Sequence, residues 1–209
     1  MRKKWFFLIL LLSMVPAQAG IAADTVDLTP WQGVYVSRKM VIDRPEMAPV
    51  YEQTALEARK TGKNYTGPEV KRYLGQLFRT DFSRLAISGN RIAFYTHDSR
   101  LPSEEHAYRF AGCRDDRFMG DAFQWFAFEA VDPSSDDTRY RYLLLLKSNR
   151  RNGGPPHFHI RYGAAGFKDL LTHPRYADWW PTLLPENLDM ELFRSTWPVR
   201  DMASMLPSR

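Results

Sequence analysis

The stretch Leu85-Ala86-Ile87-Ser88-Gly89-Asn90-Arg91-Ile92-Ala93-Phe94-Tyr95 (LAISGNRIAFY) decides the fold class of this chain. Leu85 and Ile87 alternate with a small residue, Ser88-Gly89-Asn90 supplies turn chemistry, and Ile92 and Phe94 resume the alternation. That is the pattern of a β-hairpin. Downstream, residues 106–111, 123–131 (FQWFAFEAV), 139–146 (RYRYLLLL) and 157–162 (HFHIRY) read as further strands, separated by clusters of Gly, Pro, Asp and Ser. Sequential short strands with few helices between them argue for a closed or half-closed antiparallel barrel and against a parallel α/β sheet.

Upstream of the hairpin, residues 31–37 (WQGVYVS) suggest a first strand. Met47, Val50, Tyr51, Thr54, Ala55 and Ala58 then recur at helical spacing, with Gly62 placed to stop that helix. A second helix opens at Pro68 and carries Val70, Tyr73, Leu74 and Leu77. Short helices are expected over 165–171 and 188–194, with Trp180-Pro181-Thr182 and Pro185 shaping a loop between them. The expected fold class is therefore mainly β, a single antiparallel β-barrel with a few added α-helices.

Composition narrows the chemistry. Among 209 residues, 44% are hydrophobic and thirteen are phenylalanine, too many for a disordered chain. The single Cys113 excludes an internal disulfide framework and Cys-rich zinc motifs, so a metal site must use the five histidines and the carboxylates. The net charge of +5 has a local source: Arg2, Lys3 and Lys4 precede the apolar run WFFLILLLSMV and the small-residue sequence Ala17-Gln18-Ala19. This is the layout of a secretory signal peptide over residues 1–19, cleaved after Ala19 with Ala23 as second choice, and followed by one domain over 24–209. The apolar run falls short of the roughly 20 residues of a membrane span, so no stable membrane insertion is expected after cleavage. Removal of residues 1–19 leaves 26 basic against 24 acidic residues, and with them goes the charge argument for a nucleic-acid partner.

The sharpest local feature is His157-Phe158-His159. On a strand, alternation puts both imidazoles on one face, about 6.6 Å apart along the backbone, a gap that two imidazoles close over one metal ion. Imidazole suits zinc, copper and nickel alike, so the pair leaves the divalent metal open. The other reading of the residues is two half-buried strand histidines bonded to their neighbours.

Taken together, Trp31-Gln32-Gly33, Lys60-Thr61, Tyr73, Thr80-Asp81, Ile87 to Phe94, Tyr108 to Gly112, Phe128-Glu129, His157 to Gly163, Leu170-Leu171 and Trp180 to Pro185 resemble the ZinT (YodA) family of periplasmic zinc-binding proteins. The resemblance implies a lipocalin-like barrel, a periplasmic location, zinc as cargo, and support for zinc homeostasis or delivery to an ABC-type uptake system. It also implies three histidine ligands, of which His157 and His159 match two. The third, nine places before His157, falls on Ser148; a one-residue gap would bring Asn149 there instead. Lys147, Arg150 and Arg151 are expected to face His157 and oppose a cation.

The remaining candidates are weaker. His97 and His106 sit at polar strand ends and are expected to be exposed, and His173 is the best substitute ligand. Cys113 reads as inert. Phe123, Trp125, Phe126 and Phe128 read as core, and the pairs Asp115-Asp116 and Asp136-Asp137 as solvated turn residues. With no GxSxG, HExxH or Gly-rich phosphate loop, no enzyme is expected. The alternative function is a lipocalin-like binding module with a degenerate metal site, whose aromatic interior takes a small apolar ligand or a protein partner.

Overall fold

The computed structural model describes residues 26–96, 99–118, 121–132, 138–150 and 153–208, and the predicted signal peptide lies outside them. Eight described strands form one ring: β1 Gly33–Ser37, β2 Arg84–Ser88, β3 Arg91–Tyr95, β4 Glu104–Phe118, β5 Asp121–Ala130, β6 Tyr142–Leu145, β7 Phe158–Gly163 and β8 Thr182–Pro185. Each pairs antiparallel with its neighbour in sequence, and β8 returns to β1, so the barrel is closed. Among the described residues six α-helices accompany it: α1 Arg38–Ile42, α2 Ala48–Arg59, α3 Gly67–Leu77, α4 Phe167–Thr172, α5 Met190–Ser195 and α6 Val199–Met205.

Register separates inside from outside, because residues paired across an antiparallel ladder share a face. Leu85 faces Phe94, Phe128 faces Leu143, Leu143 faces Tyr162, and Phe158 faces Leu183; these buried side chains fill the interior. Phe94 stacks on Tyr140 with ring centres 3.8 Å apart. Trp31 closes the packing edge-on to Phe126 and Phe128, and its Nε1 donates to the Leu146 carbonyl at 2.7 Å. The barrel interior is thus a packed aromatic core filled by its own side chains.

The two early helices form as the spacing predicts. The α2 stripe Val50, Tyr51, Thr54, Ala55 and Ala58 is buried, and Gly62 beyond it takes a φ of +78°, a conformation that costs glycine little. Helix α3 begins with a capping box, in which the Thr66 hydroxyl accepts from the Glu69 N–H while the Glu69 carboxylate accepts from the Thr66 N–H.

Three expectations change. Residues 182–185 form β8 instead of a loop: Leu183 points into the barrel and Leu184 out under the helices, so both faces are buried and the strand lacks the polar alternation that marks an exposed one. Helices α1 and α6, five and seven residues long, carry too little periodicity to be read locally. Strand β4 runs well past residue 111 to Phe118, across a register shift between Phe110 and Cys113 where Gly112 adopts a φ of +99°.

Candidate metal centre

His159 lies on the outer face of β7, and His157, one place before the strand begins, lies on the same side. His159 pairs with Thr182 of β8, and His157 forms an isolated bridge with Asn149 through two backbone bonds of 2.9 and 3.0 Å. Both rings line a cavity of about 270 Å³ between the barrel's outer face and the helices. Arg38 of α1, Phe78 after α3, Trp180, Phe193 of α5, Trp197 and Met202 of α6 complete much of its wall.

The imidazole rings are perpendicular, with centres 5.7 Å apart. Two imidazoles on one tetrahedral zinc, with Zn–N bonds of about 2.0–2.1 Å, hold their ring centres about 5 Å apart. The observed separation is close to that distance.

Hydrogen bonding sets the tautomers. The Thr182 hydroxyl donates its one proton to the Trp180 carbonyl at 3.0 Å, so its oxygen accepts from His159 Nδ1, also at 3.0 Å. In His157, Nδ1 lies 3.3 Å from the Pro155 carbonyl, which can only accept. His159 therefore carries its proton on Nδ1 and its lone pair on Nε2, the arrangement that outer partners give to metal-ligating histidines, and the Nδ1 contact of His157 suits the same tautomer. Burial, with lesser contributions from His157 and Arg38, pulls His159 down to about 3, so it stays a neutral lone-pair donor well below the usual histidine range.

The rest of the expected site is rearranged. Ser148 is exposed and outside the cavity wall, whereas Asn149, directly across the bridge from His157, lines it. The chain thus presents an amide where a third imidazole is expected, and among the described residues no three His, Cys, Asp or Glu groups gather around one point. Lys147 turns its ammonium over the Phe126 ring at 5.1 Å, Arg150 is exposed away from the wall, and Arg151 lies outside the described residues. The cation at the cavity is Arg38, which no local pattern in the sequence singles out. Burial lowers its guanidinium to about 10, so it stays charged at neutral pH.

His173 is exposed, accepts at Nδ1 from the Arg175 N–H at 3.2 Å and does not line the cavity. His106, expected exposed, is 5% exposed on the inner face of β4, because its ladder partner is Ile92; its Nε2 lies 3.2 Å from Glu104. His97, Asp136 and Asp137 lie outside the described residues. Asp115 and Asp116 sit on β4 and not in a turn: Asp115 accepts from Gln124, while Asp116 accepts from Trp125 Nε1 at 3.1 Å and stands 3.7 Å from Arg161. Phe126 and Phe128 face inward as core residues, but Phe123 lies on the outer face and walls the cavity.

The family model for the ZinT (YodA) periplasmic lipocalin-like zinc-recruitment proteins matches residues 21–195. The chain belongs to the ZinT family. Zinc recruitment is accordingly its function; the family is a periplasmic one, and a binding family, not an enzyme family. A search of curated proteins finds no significant match. Among solved structures, the Zn(II)-bound ZinT-like domain of Streptococcus pneumoniae AdcA is similar, at 23% identity over 88% of this chain and 92% of that one, with a TM-score of 0.59. Zn(II)-bound AdcA from Streptococcus pneumoniae is similar at 23% identity and a TM-score of 0.61; this chain spans 36% of it. At that identity the likeness establishes the fold, the closed eight-stranded barrel with its helices.

Proposed function

We propose that this ZinT protein holds zinc through Nε2 of His157 and Nε2 of His159, with the remaining positions of the ion taken by water or by a donor from outside the chain. The observation that carries the reading is the pair of imidazoles with centres 5.7 Å apart on one wall of one cavity, each with Nδ1 turned to an oxygen. Two protein ligands in place of three make a looser hold and leave a position through which a receiving component can enter, which suits a carrier that gives up its metal. Delivery to an ABC-type uptake system follows as the partner reading. Export by a signal peptide over residues 1–19, cleaved after Ala19, places the mature domain over 24–209 in the periplasm; among the described residues no helix is long and apolar enough to cross a membrane.

Calorimetric titration of zinc into the mature protein should give one saturable binding event. The His157→Ala, His159→Ala double variant should show none. Equal heats from the two proteins would overturn the assignment.

A further inference from the structure

Arg38 is the one feature of the cavity that a zinc carrier does not need. Its side chain is buried, with the residue 7% exposed, and its guanidinium carbon stands 4.3 Å from the centre of Phe78, 4.6 Å from Trp197 and 5.5 Å from Phe193, all three in the cavity wall. Its Nε is buried without a hydrogen-bond partner, and among the described residues no carboxylate lies within ion-pair distance of it. Aromatic faces attract a guanidinium but accept few of its five N–H donors. A buried charge left without a counter-charge is costly, and buried charges in folded proteins are as a rule paired. Here the unpaired charge stands beside open space, and that space is where its counter-ion fits.

The shape and lining specify the counter-ion. Besides Arg38 and the two histidines, the wall is mostly apolar, with Trp180, Leu184, Phe193, Trp197, Met202 and Met205. Its volume of about 270 Å³ is enough for a small organic molecule. A guanidinium matches the planar, two-oxygen geometry of a carboxylate.

We propose that this cavity binds a small organic carboxylate with an apolar body, its carboxylate paired with Arg38 and its body among the rings and methionines. When zinc is held by His157 and His159, the same carboxylate supplies an oxygen donor to the ion in place of the missing third imidazole and screens it from Arg38. That second step rests on the two-histidine reading; the pairing with Arg38 does not. Zinc and the carboxylate then raise each other's affinity by the same factor.

The test uses benzoate as probe and benzamide as its neutral counterpart, titrated calorimetrically into the metal-free mature protein and into the protein with zinc. Benzoate should bind saturably to the metal-free protein, with benzamide weaker by about tenfold or more. Arg38→Gln should abolish that preference, and saturating benzoate should tighten zinc binding by about fivefold or more in the unmodified protein. If Arg38→Gln does not fold, the comparison of benzoate with benzamide on the unmodified protein still decides. Zinc binding together with benzamide equal to benzoate, or with no benzoate binding, overturns the carboxylate site and leaves the two-histidine reading standing. Benzoate preference with no zinc binding overturns the two-histidine reading and leaves the Arg38 pairing standing.

Discussion

At the scale of single residues, the proposed centre has in Thr182 the side chain that bonds one of its two imidazoles. Its hydroxyl links His159 Nδ1 to the Trp180 carbonyl, and the Trp180 ring in turn packs edge-on against the His159 ring, with centres 5.7 Å apart. Thr182 therefore sets the tautomer of His159, and the Trp180 ring packs against the same imidazole. Thr182→Val keeps the shape and removes the bond. Partners of this kind are worth roughly 10–100-fold in metal affinity, so the variant should bind zinc about that much more weakly in a chelator-competition titration, with an unchanged circular dichroism spectrum. Unaltered affinity would show that packing alone orients the ring. The histidine pair was legible because a period of two is a local property of seven residues. Arg38 was not, since its burial depends on Phe193 and Trp197, more than 150 positions away in the chain. Asn149 and Ser148 differ by one place across a connection whose register only the bridge to His157 settles.

At the scale of elements, α2 and α3 carry their own instructions, and the cavity roof does not. Thr66 and Glu69 cap α3 reciprocally on an exposed surface, remote from β7. Thr66→Ala should lower unfolding stability by about 1 kcal/mol in urea denaturation and leave zinc affinity as it was. A loss of zinc binding in that variant would mean that α3, through Phe78 at its C-terminal end, sets the cavity wall more tightly than its packing indicates. Helix α6 is different, because seven residues are too few to hold helical structure alone. It is held by its buried Met202 and Ala203 and by the Tyr73 hydroxyl, which donates to the Met205 carbonyl at 2.7 Å. Strand β8 likewise takes its ladder from β7 on one side and β1 on the other. These are the elements that sequence reading misses and that close the barrel and roof the site; their order comes from partners far along the chain.

At the scale of the whole molecule, the barrel's interior holds phenols as well as phenyl rings, and this sets its response to alkali. Tyr108, Tyr140 and Tyr162 are buried; Tyr108 donates to the Tyr140 carbonyl at 2.7 Å, and the Tyr162 oxygen accepts from the Asp81 N–H at 2.8 Å. Burial raises all three above the ordinary tyrosine range, and the nearby carboxylates push in the same direction. In the unfolded chain these phenols ionise near pH 10, while in the folded barrel they keep their protons. The unfolded state therefore binds fewer protons above that pH, and stability falls as pH rises. The tyrosine contribution is fully present below about pH 10 and is lost at up to about 1.4 kcal/mol per pH unit for each buried phenol. Urea midpoints of the metal-free protein should thus hold near neutral pH and drop steeply above about pH 10. Tyr108→Phe lowers the neutral-pH midpoint, because the Tyr140 carbonyl loses its donor, yet it should flatten the alkaline slope by about one proton. Parallel slopes in the two proteins would place the alkaline transition outside the barrel's core. A flattened slope would tie it to the same packed interior on whose outer face, at β7, the cavity lies, where Ile160 and Tyr162 point inward and His157 and His159 point out.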